Sequence, residues 1–288
     1  MREYPTGSRA RVFVGPRNET EIVNFLQPLR RAWAQRALVA ALVRRELAAR
    51  YRGGALGFLW SFLNPLLLLL VYATVFRFVF APRADVRPYA LFLFGGVLVW
   101  GFVSAALLDA VETFRSNGPL LRKTTVAPEV FPAAAVGARL VHLVLALPVL
   151  AAAIVFAVVR GRVSLGPAVL EFPIVLALLA LTVFGAALAV SALSVHFGDV
   201  RDIVANVLTL AFFLTPVLYP GEAVPERWRW LLRANPFACF FSGVHRTLFD
   251  FRPVPASDWL WMAGTAVVAL AAGGAVFERL RDTLAEEA

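Results

Sequence analysis

Residues Arg44 to Tyr72 read RRELAARYRGGALGFLWSFLNPLLLLLVY, and the rest of the chain is read outward from this stretch. Four arginines, Arg44, Arg45, Arg50 and Arg52, crowd its first nine positions, and no charge follows until Arg77. Gly53 and Gly54 mark the junction. The pattern predicts a helix at a membrane surface that hands over to one entering the bilayer. The basic part stays with lipid phosphates while the uncharged part exchanges water for hydrocarbon. Glu46 and Arg50 stand at i,i+4 with the acid N-terminal, the favourable order on a helix. Val39, Val43, Leu47 and Tyr51 recur every four residues and predict the face that lies down, although Arg50 falls close to that stripe. A juxtamembrane basic cluster obeying the positive-inside rule explains the same charges without any lipid-binding role.

Composition agrees with a membrane protein. Of 288 residues, 60% are hydrophobic and 16% charged, with a mean hydropathy of +0.72, against about 45–50% apolar and about 25% charged in soluble domains. The net charge of +9 does not point to nucleic acid, because the arginines flank apolar runs and form no separate basic domain. Cys239 is the only cysteine, which excludes an intramolecular disulfide and a cysteine-based metal site. The first 35 residues lack an apolar core segment, so no cleavable signal peptide is expected.

Residues 1–36 read as a polar cytosolic extension broken by Pro5, Gly7, Gly15 and Pro16, with Arg11 to Val14 a candidate short strand. Residues 37–57 form the basic interfacial helix. Six apolar segments follow, at about 58–80, 89–110, 130–159, 170–195, 203–220 and 257–277. Each approaches the roughly 20 helical residues that cross a core of about 30 Å. Two pieces between the last two segments, Pro225 to Arg233 and Pro236 to Phe249, are too short to cross and predict re-entrant outer helices. Six crossings place both termini on one side. That side holds seventeen Lys and Arg against nine opposite, which predicts cytoplasmic termini, with 279–288 as a cytosolic tail.

Catalytic patterns are missing. No GxxxxGK[ST] occurs, and Lys123, the only lysine, follows no Gly-rich loop, so this chain does not cradle ATP itself. His142, His196 and His245 lack metal-ligand spacing, and no GxSxG or paired-carboxylate constellation stands out. Uphill transport therefore needs energy from a partner or an ion gradient. Asp109, Glu112, Glu129, Glu171, Asp199 and Asp202 all fall at the ends of spans, against an ion-coupled carrier with acids at mid-membrane. Arg139 and His142 are the exception, three residues apart on one face of the third span. They contact an anionic substrate or a neighbouring helix; alternatively Arg139 snorkels to the cytoplasmic interface, the reading its position favours.

The opening stretch also carries Arg50-Tyr51-Arg52-Gly53, Leu56-Gly57, Leu59-Trp60 and Pro65 before its Leu-rich run. The first inner loop, 111–129, contains Asn117, Leu120, Leu121, Arg122 and Lys123, with Pro132 opening the third span. The second, 196–202, ends in Arg201-Asp202, followed by Thr215, Pro216, Tyr219 and Pro220, and Asn235-Pro236 precedes the last span. In this order, across about residues 44–275, the elements resemble the permease subunit of type-2 ABC exporters for cell-surface polysaccharides, the O-antigen, capsule and teichoic-acid group. One departure is Val126-Ala127-Pro128 where that family often has Phe-Pro-Arg.

The resemblance implies an all-α integral membrane protein with six transmembrane helices per subunit, an N-terminal interfacial amphipathic helix and short re-entrant outer helices. It implies a homodimer paired with two copies of an ATPase subunit, which binds ATP and Mg, so that this chain carries no cofactor and is not itself an enzyme. The substrate is expected to be a polysaccharide on a polyprenyl-diphosphate lipid, O-antigen first, exported across the cytoplasmic membrane. A type-2 permease for another lipid or a drug is the alternative, and a membrane glycosyltransferase a third, weakened by the missing acidic cluster. Under the leading reading, Arg115, Asn117, Leu120, Leu121, Arg122, Lys123, Arg201 and Asp202 couple to the ATPase, with Arg115 to Lys123 as a short docking helix. Arg44, Arg45, Arg50 and Arg52 meet the lipid diphosphate. Trp60, Tyr72, Phe212, Phe213, Tyr219, Phe237, Phe240 and Phe241 belong to the channel and its outer gate. Aromatic abundance, 24 Phe and 7 Trp, suits sugar stacking, but aromatic belts are common to membrane proteins.

Overall fold

Apolar runs satisfy their own backbone hydrogen bonds only as helices when water is absent, and helices make up most of the computed structural model. It describes residues 26–51, 57–78, 89–123, 126–281 and 284, and no strand occurs among them. The candidate strand at Arg11 to Val14, the junction glycines and Arg52 lie outside the described residues. The chain runs through α1 (Gln27–Ala34), α2 (Arg36–Tyr51), α3 (Trp60–Phe78), α4 (Tyr89–Lys123), α5 (Val130–Val159), α6 (Phe172–His196), α7 (Val200–Leu214), α8 (Arg229–Ala234), α9 (Ala238–Leu248) and α10 (Ala256–Leu280).

Four described helices, α4, α5, α6 with the 3-10 turn before it, and α10, are long and apolar enough to cross a membrane by themselves. The other two expected crossings are shorter. α3, Trp60–Phe78, has 19 residues. α7 has 15 residues, about 22 Å at 1.5 Å per residue. The expected fifth segment, 203–220, leaves helical geometry at Thr215, whose backbone is extended before Pro216. A proline disfavours helical geometry in the residue before it. Thr215, Pro216 and Val217 are buried, so this irregular backbone is enclosed by protein.

α4 is the central helix. Phe94, Val99, Val103, Ala106, Ala110 and Phe114 along it are buried to the last atom, and it touches α3, α5, α6, α7 and α9. It is also 35 residues long and carries Pro119 near its end, so the segment from Arg115 to Lys123, expected as a short helix of its own, is instead the last part of α4, with a proline that removes one backbone hydrogen bond there.

The tightest pairing joins α6 to α10. A Cβ built on Gly273 falls 1.8 Å from the Gly185 carbonyl oxygen, and one built on Gly185 falls 2.4 Å from the Ala269 carbonyl carbon. Only hydrogen fits at this crossing, and small residues let two helix backbones touch where lipid supplies no hydrophobic drive. Gly273→Val is expected to force the pair apart and cost about 1–3 kcal/mol or more, seen as a lower thermal midpoint in detergent. Gly264→Ala, on the same helix with nothing within 4 Å of its Cβ, is expected to leave the midpoint unchanged or slightly raised.

Candidate transport and coupling surfaces

α2 does not stand apart from the helix bundle. Leu42 is buried and Leu38, Val39, Val43 and Leu47 are half-buried, packing chiefly against α5. At the closest point a Cβ on Gly137 would meet Val43 Cγ2 at 3.1 Å. The apolar face is therefore centred on Leu42 rather than on the fourfold stripe that omitted it. Neighbouring helices, rather than lipid, cover much of it.

The arginines of α2 divide. Arg44 is exposed. Arg45 donates from Nη2 to Asn117 Oδ1 on α4, and Asn117 Nδ2 donates in turn to the Thr113 carbonyl at 2.8 Å. Arg50 stands 3.8 Å from Asp109. Asp109 also takes a two-pronged bond from Arg139, with Nη2 to Oδ1 at 2.7 Å and Nε to Oδ2. A carboxylate one helix away, near the end of its own apolar segment, holds the Arg139 guanidinium. The expected contact with a neighbouring helix is what the geometry contains. Glu46 completes the group. Burial, and then the negative charge of Asp109, hold its carboxyl above the usual carboxylate range, with Arg50 and Arg139 opposing.

A second ionic joint escaped the sequence reading. Arg31 of α1 donates from Nη1 to Glu129 at 3.0 Å and to Glu278 at 2.9 Å, and Arg281 lies 3.7 Å from Glu129. Glu129, at the start of α5, is fully buried. Burial weighs against the charge on Arg31, but its bonds to Glu129 and Glu278 raise its pKa on balance. The joint ties α1 to the beginning of α5 and the end of α10. No sequence pattern links positions so far apart.

The two inner loops meet. Arg201, at the start of α7, reaches Glu112 on α4 at 3.6 Å. Arg115 Nη2 donates to the Ser194 carbonyl at 3.3 Å, and Ser194 Oγ donates to the Val111 carbonyl at 2.7 Å. Asp202 is exposed in the first turn of α7, where a carboxylate favours the helix dipole. Leu120 is half-buried and Leu121 buried. Arg122 and Lys123 belong to α4, but their side chains lie outside the described set.

The end of the bundle around Thr215 and α9, expected to be the outer one, is a packed cap. Asn235 Nδ2 donates to Thr215 Oγ1 at 2.8 Å, while its Oδ1 accepts the Phe237 amide at 2.9 Å. Two sequence elements twenty residues apart, Thr-Pro and Asn-Pro, are therefore one joint. Trp100 sits among Phe212, Phe237 and Phe241, with ring centroids 5.8, 6.0 and 5.7 Å away. Phe240 and Phe241, expected at an outer gate, are both fully buried within their own chain; α9 packs against α6, α4 and α10. Tyr219 donates to the Phe213 carbonyl at 3.1 Å. Phe213 and Trp60 are open, at 62% and 47% exposure, and Tyr72 is half-buried. Ile203, Val207, Leu210 and Leu214 make an exposed apolar stripe on α7, as Leu66, Leu67, Leu70 and Val71 do on α3.

The Glu46 carboxyl gives a pH test. A carboxyl raised by folding contributes stability below its unfolded value, near 4.5, and loses that contribution as pH rises through the folded value. Gln mimics the protonated form at every pH. Glu46→Gln is expected to be more thermostable than the parent at pH 8, and the two melting curves should converge on acidification toward pH 4.5.

Residues 37–249 match the family described as ABC-2 type transporter. A protein of Myxococcus xanthus, "O-antigen export system permease protein RfbA", is 34% identical over 264 residues, 91% of this chain and 99% of that one. A Klebsiella pneumoniae protein of the same name is 26% identical, over 86% of this chain and 94% of its own. The "Polysialic acid transport protein KpsM" of Escherichia coli is 23% identical, over 69% of this chain and 76% of its own. The matched span begins in α2 and ends just past α9.

Proposed function

This chain belongs to the ABC-2 type transporter family, and from that premise we propose that it is the permease subunit of an exporter for a polyprenyl-diphosphate-linked cell-surface polysaccharide, O-antigen first, driven by ATP hydrolysis on a separate subunit. The observation that carries this reading is the near end-to-end likeness to an O-antigen export permease, over 99% of that relative's length. The protein is a multi-pass membrane protein of the inner membrane, with six crossings and both termini in the cytoplasm.

The remaining roles follow from geometry. Two copies associate through the exposed apolar stripe of α7, whose side chains otherwise have only lipid to cover them. Each copy docks one ATPase subunit at the joint formed by the end of α4 and the start of α7. α4 is one continuous helix, so a push at Arg115 to Lys123 is delivered along the rod to Trp100 and the outer cap. The expected diphosphate ligands described here, Arg44, Arg45 and Arg50, are all exposed, and Arg45 and Arg50 also have partners on α4. Arg44 therefore meets the lipid first, and release of Arg45 or Arg50 would couple lipid arrival to α4.

The test is co-purification with the neighbouring ATPase and assay of hydrolysis with and without lipid-linked glycan. Glycan is expected to stimulate hydrolysis; a complex that responds equally to unrelated lipids overturns the substrate assignment. Arg201→Glu is the coupling variant. Its pair with Glu112 is largely exposed, so stability should change by no more than about 1 kcal/mol, whereas glycan-stimulated hydrolysis and export should fall together. An Arg201→Glu variant that exports normally would remove this joint from the coupling path.

A further inference from the structure

A groove of about 640 Å3 opens on the lipid-facing side of the bundle between α3, the first turn of α4 and the second half of α5. Small residues such as Ala152 and Ala153 form its floor, while Leu66, Leu70 and Phe156 make its walls. The wall residues are exposed apolar side chains, at 50%, 61% and 59%. Among the described residues, Arg162 is the one charged residue lining the groove.

The position of Arg162 is set by the end of α5. Gly161 has φ +64°, its amide donates to the Val158 carbonyl at 2.8 Å, and the Arg162 amide donates to the Ala157 carbonyl at 3.0 Å. This glycine-centred reversal satisfies the last carbonyls of the helix through backbone amides. The guanidinium of Arg162 is therefore not consumed in capping, and among the described residues no acid pairs with it. The neighbouring Arg160 is engaged differently, over the Phe156 ring at 5.1 Å.

Dimensions select the occupant. On α5 the groove runs from Pro148 to Ala157, about 14 Å at 1.5 Å per residue, or half a hydrocarbon core of about 30 Å. Its volume holds about twenty methylene groups if each takes the space of a water molecule, roughly 30 Å3. A chain lying there reaches from mid-membrane to the interface, where its headgroup meets Arg162. We propose that this groove binds one anionic glycerophospholipid, an acyl chain lying between α3 and α5 and its phosphate held by Arg162. Assignment to the outer leaflet rests on the orientation proposed above; the binding itself does not.

The experiment uses the full-length protein in mild detergent, with phosphatidylglycerol and phosphatidylethanolamine supplied as probes. Bound lipid is counted by native mass spectrometry and by the shift in thermal midpoint. The parent is expected to retain one phosphatidylglycerol in preference to phosphatidylethanolamine. Arg162→Glu, at an exposed position that leaves the core untouched, should weaken retention about fivefold or more, the scale of one interfacial charge. Ala152→Trp, filling the groove from an exposed floor position, should abolish retention of both lipids. Equal retention of both lipids by the parent, or retention by Arg162→Glu matching the parent, overturns the proposal. So does displacement of phosphatidylglycerol by an equimolar polyprenyl phosphate, which would make the groove a carrier-lipid site. Neither ATPase nor glycan is present, so failure here leaves the permease assignment standing, and failure of glycan stimulation leaves the groove standing.

Discussion

Asp109 is the point on which the inner half of the molecule turns. An unpaired carboxylate among apolar helices is too costly to keep charged, so its position on α4 obliges α5 to present Arg139 and leaves room for Arg50 of α2. Three helices are tied by one side chain. The same rule shapes the second joint, where the buried carboxylate of Glu129 is held by Arg31 and Arg281. Ionic contacts inside a bundle add little net stability over well-packed apolar groups, yet breaking one partner is expensive. They therefore act as registration marks: α1 and α2 have little freedom to slide on α5 without stranding a charge.

That arrangement changes the meaning of the basic segment. Arginines that look available to lipid phosphates are partly engaged with Asn117 and Asp109 on α4. Asn117 lies in the same helical end as the residues expected to face the ATPase. α2 and the end of α4 are thus joined directly by the Arg45–Asn117 hydrogen bond.

At the outer end the constraint is the backbone itself. α7 stops at Thr215, and a non-helical stretch at membrane depth is tolerated only where protein or water surrounds it. α9 supplies that cover, with Phe240, Phe241 and Val244 buried to the last atom and Asn235 bonded to Thr215. Gly96 contributes by its lack of a side chain: a Cβ there would stand 2.7 Å from the Val217 carbonyl oxygen. α9 is consequently part of the core, and of the aromatic residues expected at a channel, Trp60 of α3 and Phe213 of α7 are the exposed ones.

Hydropathy and charge order, which are local, made the helical class, the membrane location and the family legible in the sequence: the Leu-rich run after Arg52, the Asn117 to Lys123 loop and the Thr-Pro and Asn-Pro elements are contiguous and need no partner to be read. Length was legible less well, because apolarity continues through 215–220 while the backbone does not, and proline geometry ends α7 early. What only the tertiary structure decided is pairing. Arg139 meets Asp109 from the neighbouring helix, Phe240 and Phe241 are enclosed where α9 packs on α4, α6 and α10, and Arg31 is held by Glu129 and Glu278 from distant positions. A side chain's type is written in the sequence, but its solvation is set by neighbours that the chain brings from elsewhere, and solvation decides whether a charge is free to bind or already spent in holding the fold.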